Sequence, residues 1–331
     1  MIKHVSVIGD GGWGTTLAIH LLKNGCPVTL WSPFPKYAKI LKKTRKNKKF
    51  LPGVTIPKKI KITDCLKTAI EESDLIVLAI PSQYIKNILK KIKKFNSSTK
   101  SFLSVVKGID TASLKRMSEI IHDELGASIK LAVLSGPTIA NEVANGIPSA
   151  AVVASRNRKL TKTIQKTFNS PTFRIYTNSD IIGVEVAGSI KNIIAIACGV
   201  CDGLGFGTNT KSAIVTRGLA EMTRLGKTLG SKTKTFSGLS GLGDLATTCF
   251  SPQSRNRYVG EQLAKGKNIK QITASMQMVA EGISTVKAVY HLGKKYHLAM
   301  PITSEVFHII YKRKNPSKAV KDLMARKTKS E

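Results

Sequence analysis

Acidic residues are scarce in this chain. Its 331 residues include 20 Asp and Glu against 53 Lys and Arg, a formal charge of +33 at pH 7. A surface this positive attracts polyanions without any dedicated site. Aromatic residues are also few, 6% of the chain. The basic runs Lys36–Lys49, Lys58–Lys61, Lys86–Lys100 and Lys312–Lys329 lack the regularly interleaved aromatics on which bases stack, and no nucleic-acid motif accompanies them. Solvated lysine faces are therefore the preferred reading over specific nucleic-acid recognition. The five cysteines, Cys26, Cys65, Cys198, Cys201 and Cys249, are odd in number and scattered. That suits a reduced, cytoplasmic setting better than a disulfide framework. Cys198-Gly-Val-Cys201 has no second pair and no His-x-x-x-His partner, so it reads as helix interior and not as half of a zinc site. His4, His20, His122, His291, His297 and His308 show no metal-ligand spacing, and no metal is expected.

Long apolar runs are missing too. None approaches the roughly 20 uninterrupted residues that span a bilayer. The nearest, Ile181 to Val200, contains Glu185 and Lys191 and reads as a buried helix, so no transmembrane segment is expected. The first residues lead directly into a strand, and no secretory signal is expected.

What the chain does have is a glycine cluster at Val5 to Ala18, V-S-V-I-G-D-G-G-W-G-T-T-L-A. Gly9, Gly11 and Gly14 match G-x-G-x-x-G between an apolar strand and a helix (Trp13 to Lys23) that stops at Asn24-Gly25. The first glycine permits a tight turn and the second lets a pyrophosphate approach the backbone. The third lets helix and strand pack closely. The phosphates of a dinucleotide would sit on the N–H groups at the helix start.

The rest of the first half alternates strands and helices. Strands are predicted at Val28–Trp31, Ile60–Ile62, Asp74–Ile80, Ser101–Val106, Leu131–Leu134, Ala150–Ala154 and Phe173–Tyr176. Helices are predicted at Lys36–Lys49, from an Asp64 cap to Ile70, around Ile85–Ile92 and at Thr111–Leu125. This alternation predicts an α/β fold, a Rossmann-type mostly parallel sheet. From about Ser179 only helical periodicity remains, at 180–201, 209–229, 257–264, 279–296, 302–311 and 316–324. An all-α C-terminal domain follows. The length allows two domains, and the boundary is placed at residue 190: a dinucleotide-binding domain over 1–190 and a substrate and catalytic domain over 191–331. Arg326 to Glu331 reads as a frayed tail.

Several polar groups stand at strand ends or inside apolar helices. Lys107 follows the strand at Ser101, on the edge where ligands bind in parallel sheets. Leu134-Ser-Gly136-Pro-Thr138-Ile-Ala140 is another strand end, followed by a turn and a helix start. Lys191 interrupts an apolar helix beside Gly188 and Ser189. Ser237-Gly-Leu-Ser-Gly-Leu-Gly-Asp244 is a second glycine-rich stretch. Ser254-Arg255-Asn256 offers a hydroxyl, a planar guanidinium and an amide within three residues, a compact donor set for a phosphate monoester.

Taken in order, Gly9-x-Gly11-x-Trp13-Gly-Thr, Phe50-Leu-Pro, Val105-Val-Lys107-Gly-Ile, Leu134-Ser-Gly-Pro-Thr, Lys191-Asn-Ile-Ile-Ala, Thr216-Arg-Gly-Leu-Ala-Glu, Ser237 to Asp244, Ser254-Arg-Asn, Val279-Ala-Glu-Gly and Met300-Pro-Ile resemble the bacterial NAD(P)-dependent glycerol-3-phosphate dehydrogenase family over nearly the whole chain. The resemblance implies interconversion of dihydroxyacetone phosphate and sn-glycerol 3-phosphate with NAD or NADP, supplying glycerol 3-phosphate for phospholipid synthesis. It implies Lys191 as proton acceptor, with Asp244 orienting it and Lys107 touching both cofactor and substrate. Gly136, Thr138, Lys191, Asp244, Ser254, Arg255 and Asn256 would line the substrate site. Gly9, Gly11, Gly12, Trp13, Gly14, Lys107, Ala140, Arg255, Val279 and Glu281 would contact the cofactor. The oligomeric state is left open, a homodimer included.

Two departures stand out. Gly12 replaces a serine common in the family. The second strand ends in Trp31-Ser32-Pro33-Phe34, without the basic residues that face an NADP 2′-phosphate and without an acid for the NAD ribose diol, which predicts weak discrimination between the two. A rival reading keeps the fold with another 2-hydroxy or phosphorylated acid as substrate. Another makes the fold a scaffold for nucleic-acid binding.

Overall fold

The computed structural model describes residues 2–95 and 98–328. The chain divides into two compact units, one of Met1–Lys107 with Lys115–Glu185 and the other of Gly108–Leu114 with Val186–Glu331.

The first unit is built on one eight-stranded sheet. Its strands are β1 (Val5–Ile8), β2 (Val28–Trp31), β3 (Lys61–Thr63), β4 (Leu75–Leu78), β5 (Ser101–Ser104), β6 (Lys130–Ser135), β7 (Ser149–Ala154) and β8 (Phe173–Asn178), in spatial order β3-β2-β1-β4-β5-β6-β7-β8. Every neighbouring pair is parallel except β6 with β7, which run antiparallel from Val133↔Ala154 to Ser135↔Val152. Parallel strands need crossovers, and the crossover helices cover both faces. The short central strands β1, β2 and β4 are accordingly buried at every position. Leu75 and Val77 of β4 enter one core cluster with Val5, Leu30 and Leu103, while Ile76 and Leu78 enter another with Ile8, Phe102 and Leu131. The two-residue period of a strand thus feeds two cores from one sheet.

The strand order reverses between β1 and β4, which makes the carboxyl ends of these strands the topological switch point. Gly9 lies just past β1 and Ala79 just past β4. A Cβ on Gly9 would stand 2.5 Å from the Ala79 carbonyl oxygen.

The second unit has no strand among its described residues. Its main helices are Thr208–Thr228, Asp244–Phe250, Arg255–Ala264, Ile269–Ser275, Gly282–Lys295, Pro301–Lys312 and Pro316–Met324, together with most of Ile181–Gly203. That long helix is apolar and long enough to cross a membrane by length and composition, yet 83% of its most apolar window is buried inside the protein. Its small residues let a second helix approach to backbone distance: a Cβ on Gly199 would lie 1.9 Å from the Arg257 carbonyl oxygen, and one on Gly260 1.9 Å from that of Ile196. The crossing fixes the start of Arg255–Ala264 against the long helix. Elsewhere in the unit, buried Glu221 accepts from the N–H of Ile302 (2.6 Å), the N–H of Thr303 (3.1 Å) and the Thr303 hydroxyl (2.8 Å). These are the orphan donors at the start of Pro301–Lys312.

Several predicted boundaries move. The helix expected over Lys36–Lys49 is Pro35–Thr44, ended by Arg45 at φ +53°. The helix expected from Thr111 begins at Met117, because Leu114 is left-handed at φ +59° and Arg116, whose N–H donates to the Glu119 carboxylate at 2.8 Å, forms the cap. Asp64 is not the cap of the next helix. That position is Cys65, before Leu66–Glu71. Helix Ala140–Ala144 follows the strand end and turn of Leu134 to Ala140, where a helix start was expected, whereas Asp244–Phe250 and Ile269–Ser275 were not predicted. Of the expected frayed tail, residues 329–331 lie outside the described residues.

Candidate functional site

In the glycine loop the three motif glycines have three different surroundings. Gly9 adopts φ +121°, and its missing side chain is blocked by Ala79. A Cβ on Gly14 would come within 2.0 Å of the Gly9 carbonyl oxygen. Gly11, by contrast, faces open space, with nothing within 4 Å of a built Cβ. Two glycines are therefore needed by the protein itself, and the third leaves a cradle that the protein does not fill. Gly11 is also the N-cap of helix Gly12–Lys23, with no side-chain cap and no acid in the first turn, so the N–H groups of that turn face the cradle. This arrangement fits the pyrophosphate of a dinucleotide. Gly12 is backed by the Phe50 carbonyl oxygen, 2.5 Å from a built Cβ, and by Ala140. Thr16 donates to the Ala140 carbonyl at 3.0 Å, so Ala140 is held against the first turn. Trp13 meets Phe173 edge-on with centroids 6.2 Å apart.

A polar network lies under this loop. Ser32, just past β2, donates to the Asp10 carboxylate at 2.6 Å. The Asn47 amide donates to the Asp10 carbonyl and to the Thr15 hydroxyl, both at 2.7 Å, and its oxygen accepts from Tyr37 at 2.7 Å. Burial raises the Asp10 pKa, while the Ser32 bond and the nearby Lys49 pull it back down. None of Asp10, Ser32 and Asn47 was singled out as a ligand by the sequence. Their meeting joins segments far apart in the chain, and no local pattern marks it.

Past β5 and β6, Lys107 donates to the Gly136 carbonyl at 3.3 Å, and the Thr138 hydroxyl donates to the same oxygen at 3.0 Å. Lys107, Gly136 and Thr138 thus form one cluster at a strand-end edge. Elsewhere in the same unit, buried Glu185 takes bonds from Arg116 (2.6 Å) and from the Ser118 N–H (2.7 Å) and hydroxyl (2.6 Å).

In the second unit Lys191 and Asp244 form a salt bridge with side chains only 7% and 2% exposed. Lys191 also donates to the Thr248 hydroxyl at 2.7 Å, and that hydroxyl donates to the Asp244 carbonyl at 2.6 Å. A buried charge is retained only when paired and hydrogen-bonded, and here both conditions are met. Asp244 opens its helix directly after a π-helical turn at Leu239–Gly243. The glycines of that turn let it pack on Phe236: a Cβ on Gly241 would lie 2.0 Å from the Phe236 carbonyl oxygen. Thr248 was missed, although its place one helical turn after Asp244 is the signal that could have found it.

The Ser254-Arg255-Asn256 triplet begins a helix. Ser254 caps it, accepting from the Arg257 N–H at 3.2 Å. Exposed Arg255 donates to the Val279 carbonyl at 2.7 Å, which brings together two residues expected at the cofactor. Asn256 is committed at both ends of its amide, donating to Asn192 at 2.9 Å and accepting from the Gly282 N–H at 3.0 Å. It ties the residue after Lys191 to the one after Glu281. Asp202 accepts from Arg257 and from Lys211 (2.8 Å), which braces the same helix. Cys198 and Cys201 are buried in the long helix, and burial pushes the Cys201 thiol up to about 12; Cys198 is raised through its contact with Cys249 and by burial.

Two family models match the chain: NAD-dependent glycerol-3-phosphate dehydrogenase N-terminus over residues 4–161 and NAD-dependent glycerol-3-phosphate dehydrogenase C-terminus over residues 180–321. A glycerol-3-phosphate dehydrogenase [NAD(P)+] from Chlorobium phaeobacteroides is 46% identical over 329 residues, covering 99% of this chain and 98% of the relative. One from Fusobacterium nucleatum is 45% identical, covering 100% and 99%. Among solved structures, glycerol-3-phosphate dehydrogenase from Coxiella burnetii superimposes with a TM-score of 0.95 at 35% identity, covering 98% of this chain and 99% of that one.

Proposed function

Because the chain belongs to the NAD-dependent glycerol-3-phosphate dehydrogenase family, an oxidoreductase family interconverting dihydroxyacetone phosphate and sn-glycerol 3-phosphate with NAD(P)H, we propose how its residues divide that reaction. The first unit holds the dinucleotide on Gly9, Gly11, Gly12, Trp13, Gly14 and Ala140. The second carries the substrate chemistry, and the boundary expected at residue 190 falls within helix Ile181–Gly203. When bound, the cofactor supplies or accepts the hydride.

The protein's own task is the proton. Reduction of the ketone builds negative charge on its oxygen, and the Lys191 ammonium donates to that oxygen as the charge develops. In the oxidative direction the neutral amine takes the proton back. Asp244 and Thr248 fix where the amine points and keep a charged group tolerable under burial. Arg255 binds the substrate phosphate with Ser254, helped by Asn256, and its place on the Val279 carbonyl keeps it beside the cofactor segment that includes Glu281. Lys107, with Gly136 and Thr138, contributes a second cation toward substrate and cofactor. We place the enzyme in the cytoplasm, in keeping with five free cysteines, with its product directed to phospholipid synthesis.

The observation that carries this reading is the buried Lys191–Asp244–Thr248 cluster. A lysine needed only for structure would reach solvent along its apolar stem, and this one is 7% exposed. The test is the initial rate of NADH and NADPH oxidation with dihydroxyacetone phosphate. Oxidation of neither by folded protein would sink the reading.

A further inference from the structure

In a sheet of this kind the adenosine ribose of a bound dinucleotide lies beyond the end of β2, and an acid or a base there decides between a free diol and a 2′-phosphate. The segment after β2, Ser32-Pro33-Phe34-Pro35, contains neither. The fold nevertheless brings an acid to it from the glycine loop. Asp10, between Gly9 and Gly11, is 3% exposed and accepts from the Ser32 hydroxyl at 2.6 Å across 22 residues of sequence.

The donors of the segment are spent. The Ser32 N–H goes to the Thr63 carbonyl at 2.9 Å, and the Phe34 N–H goes to the Ser32 hydroxyl oxygen at 3.3 Å. Pro33 and Pro35 have no N–H. The Ser32 proton is committed to Asp10. A 2′-phosphate needs donors, and a ribose diol brings its own. Lys49, the lysine close enough to pull the Asp10 pKa down, and Lys36, next in the chain after Pro35, are both exposed, so their charge is solvated and is screened beyond about 8 Å at physiological salt. A buried carboxylate is screened far less.

We propose that Asp10 makes this cofactor site select NADH over NADPH, with the deciding acid supplied by the glycine loop in place of the strand end. This rests on the glycine loop being the dinucleotide site, and it replaces the weak discrimination predicted from the residues after β2.

The test is equilibrium titration of NADH and NADPH by cofactor fluorescence, without substrate. The wild type should favour NADH by at least about tenfold, since like charges brought together in a poorly screened site are disfavoured. Asp10→Asn keeps the shape and the acceptor for Ser32, and it should cut the ratio of the two Kd values at least about fivefold by tightening NADPH. Ser32→Ala keeps the carboxylate, so NADH should remain preferred. A wild-type ratio near one overturns the proposal whether or not the variants fold. So does an unchanged ratio in folded Asp10→Asn, or a ratio that collapses in Ser32→Ala. If neither cofactor binds the wild type at all, the glycine-loop reading itself fails and takes this one with it.

Discussion

The two units prepare for their ligands by opposite means. The first does so by leaving side chains out: around Gly9, Gly11 and Gly14 the backbone comes close enough to itself to exclude any Cβ, except at the one position left open. The second does so by putting charge in, burying Lys191 and Asp244 among helices whose small residues bring backbones into contact. A site made by omission depends on the chain's shape alone. A site made of buried charge depends on every partner remaining in place.

The sharpest break in this comparison is Lys191→Met. It removes the proton, and turnover should fall about a hundredfold or more. It also removes the ammonium that pairs with buried Asp244, at a cost of up to about 3–5 kcal/mol in stability, so the melting temperature should drop as well. Rates normalised to folded protein, alongside cofactor titration, separate the two losses. Normal turnover in the folded variant would make Lys191 a structural residue.

The glycine loop should respond differently at neighbouring positions. Gly14→Ala drives a methyl into the Gly9 carbonyl and should lower the melting temperature strongly. Gly11→Ala meets open space at φ −58°. Its stability should stay within about 0.5 kcal/mol of wild type, while its NADH Kd weakens at least about tenfold because the methyl occupies the pyrophosphate cradle. Equal loss of stability in both variants would erase the distinction between a glycine needed for folding and one needed for binding.

Arg255→Ala tests whether the second site also contains a binding element apart from its proton chemistry. Loss of a charge-assisted bond to the phosphate should raise the KM for dihydroxyacetone phosphate about tenfold or more. A KM that holds steady would move the phosphate elsewhere.

The smallest expected effect concerns His20 in the first unit. Its ring nitrogen lies 2.6 Å from the Phe168 carbonyl, and burial lowers its pKa from the ordinary 6.5. With a depressed folded pKa, the unfolded chain takes up the proton first as pH falls. The stability contribution is therefore present above about 6.5 and is lost between there and the lower folded value. The melting temperature should fall by a few degrees on acidification across this window. His20→Gln can keep a donor for the carbonyl and should flatten that part of the profile; an unchanged acid slope would assign it to other groups.

Local patterns made much of the fold legible. β2 runs Val28–Trp31 and the last helix Pro316–Met324 as predicted, because both are short apolar or capped segments whose signals lie within a few residues. Boundaries shifted where a single residue adopts the left-handed conformation, as at Arg45 and Leu114, since neither residue type announces it. In the site, Lys191 was visible as a charge in an apolar helix, and the glycine loop by its spacing. The Asp10–Ser32 bond and the Glu221 cap were not visible. Each depends on contacts between distant segments, which no periodicity records.

Glu221 also bears on how the chain is made. It leaves the ribosome 81 residues ahead of Ile302 and 82 ahead of Thr303, the residues that satisfy its carboxylate. A nascent chain that packed the second unit before those residues emerged would seal a carboxylate away from water with no donor to meet it. Met222 and Leu225 beside Glu221 are therefore buried at lower cost once Ile302 and Thr303 are in place to meet its carboxylate.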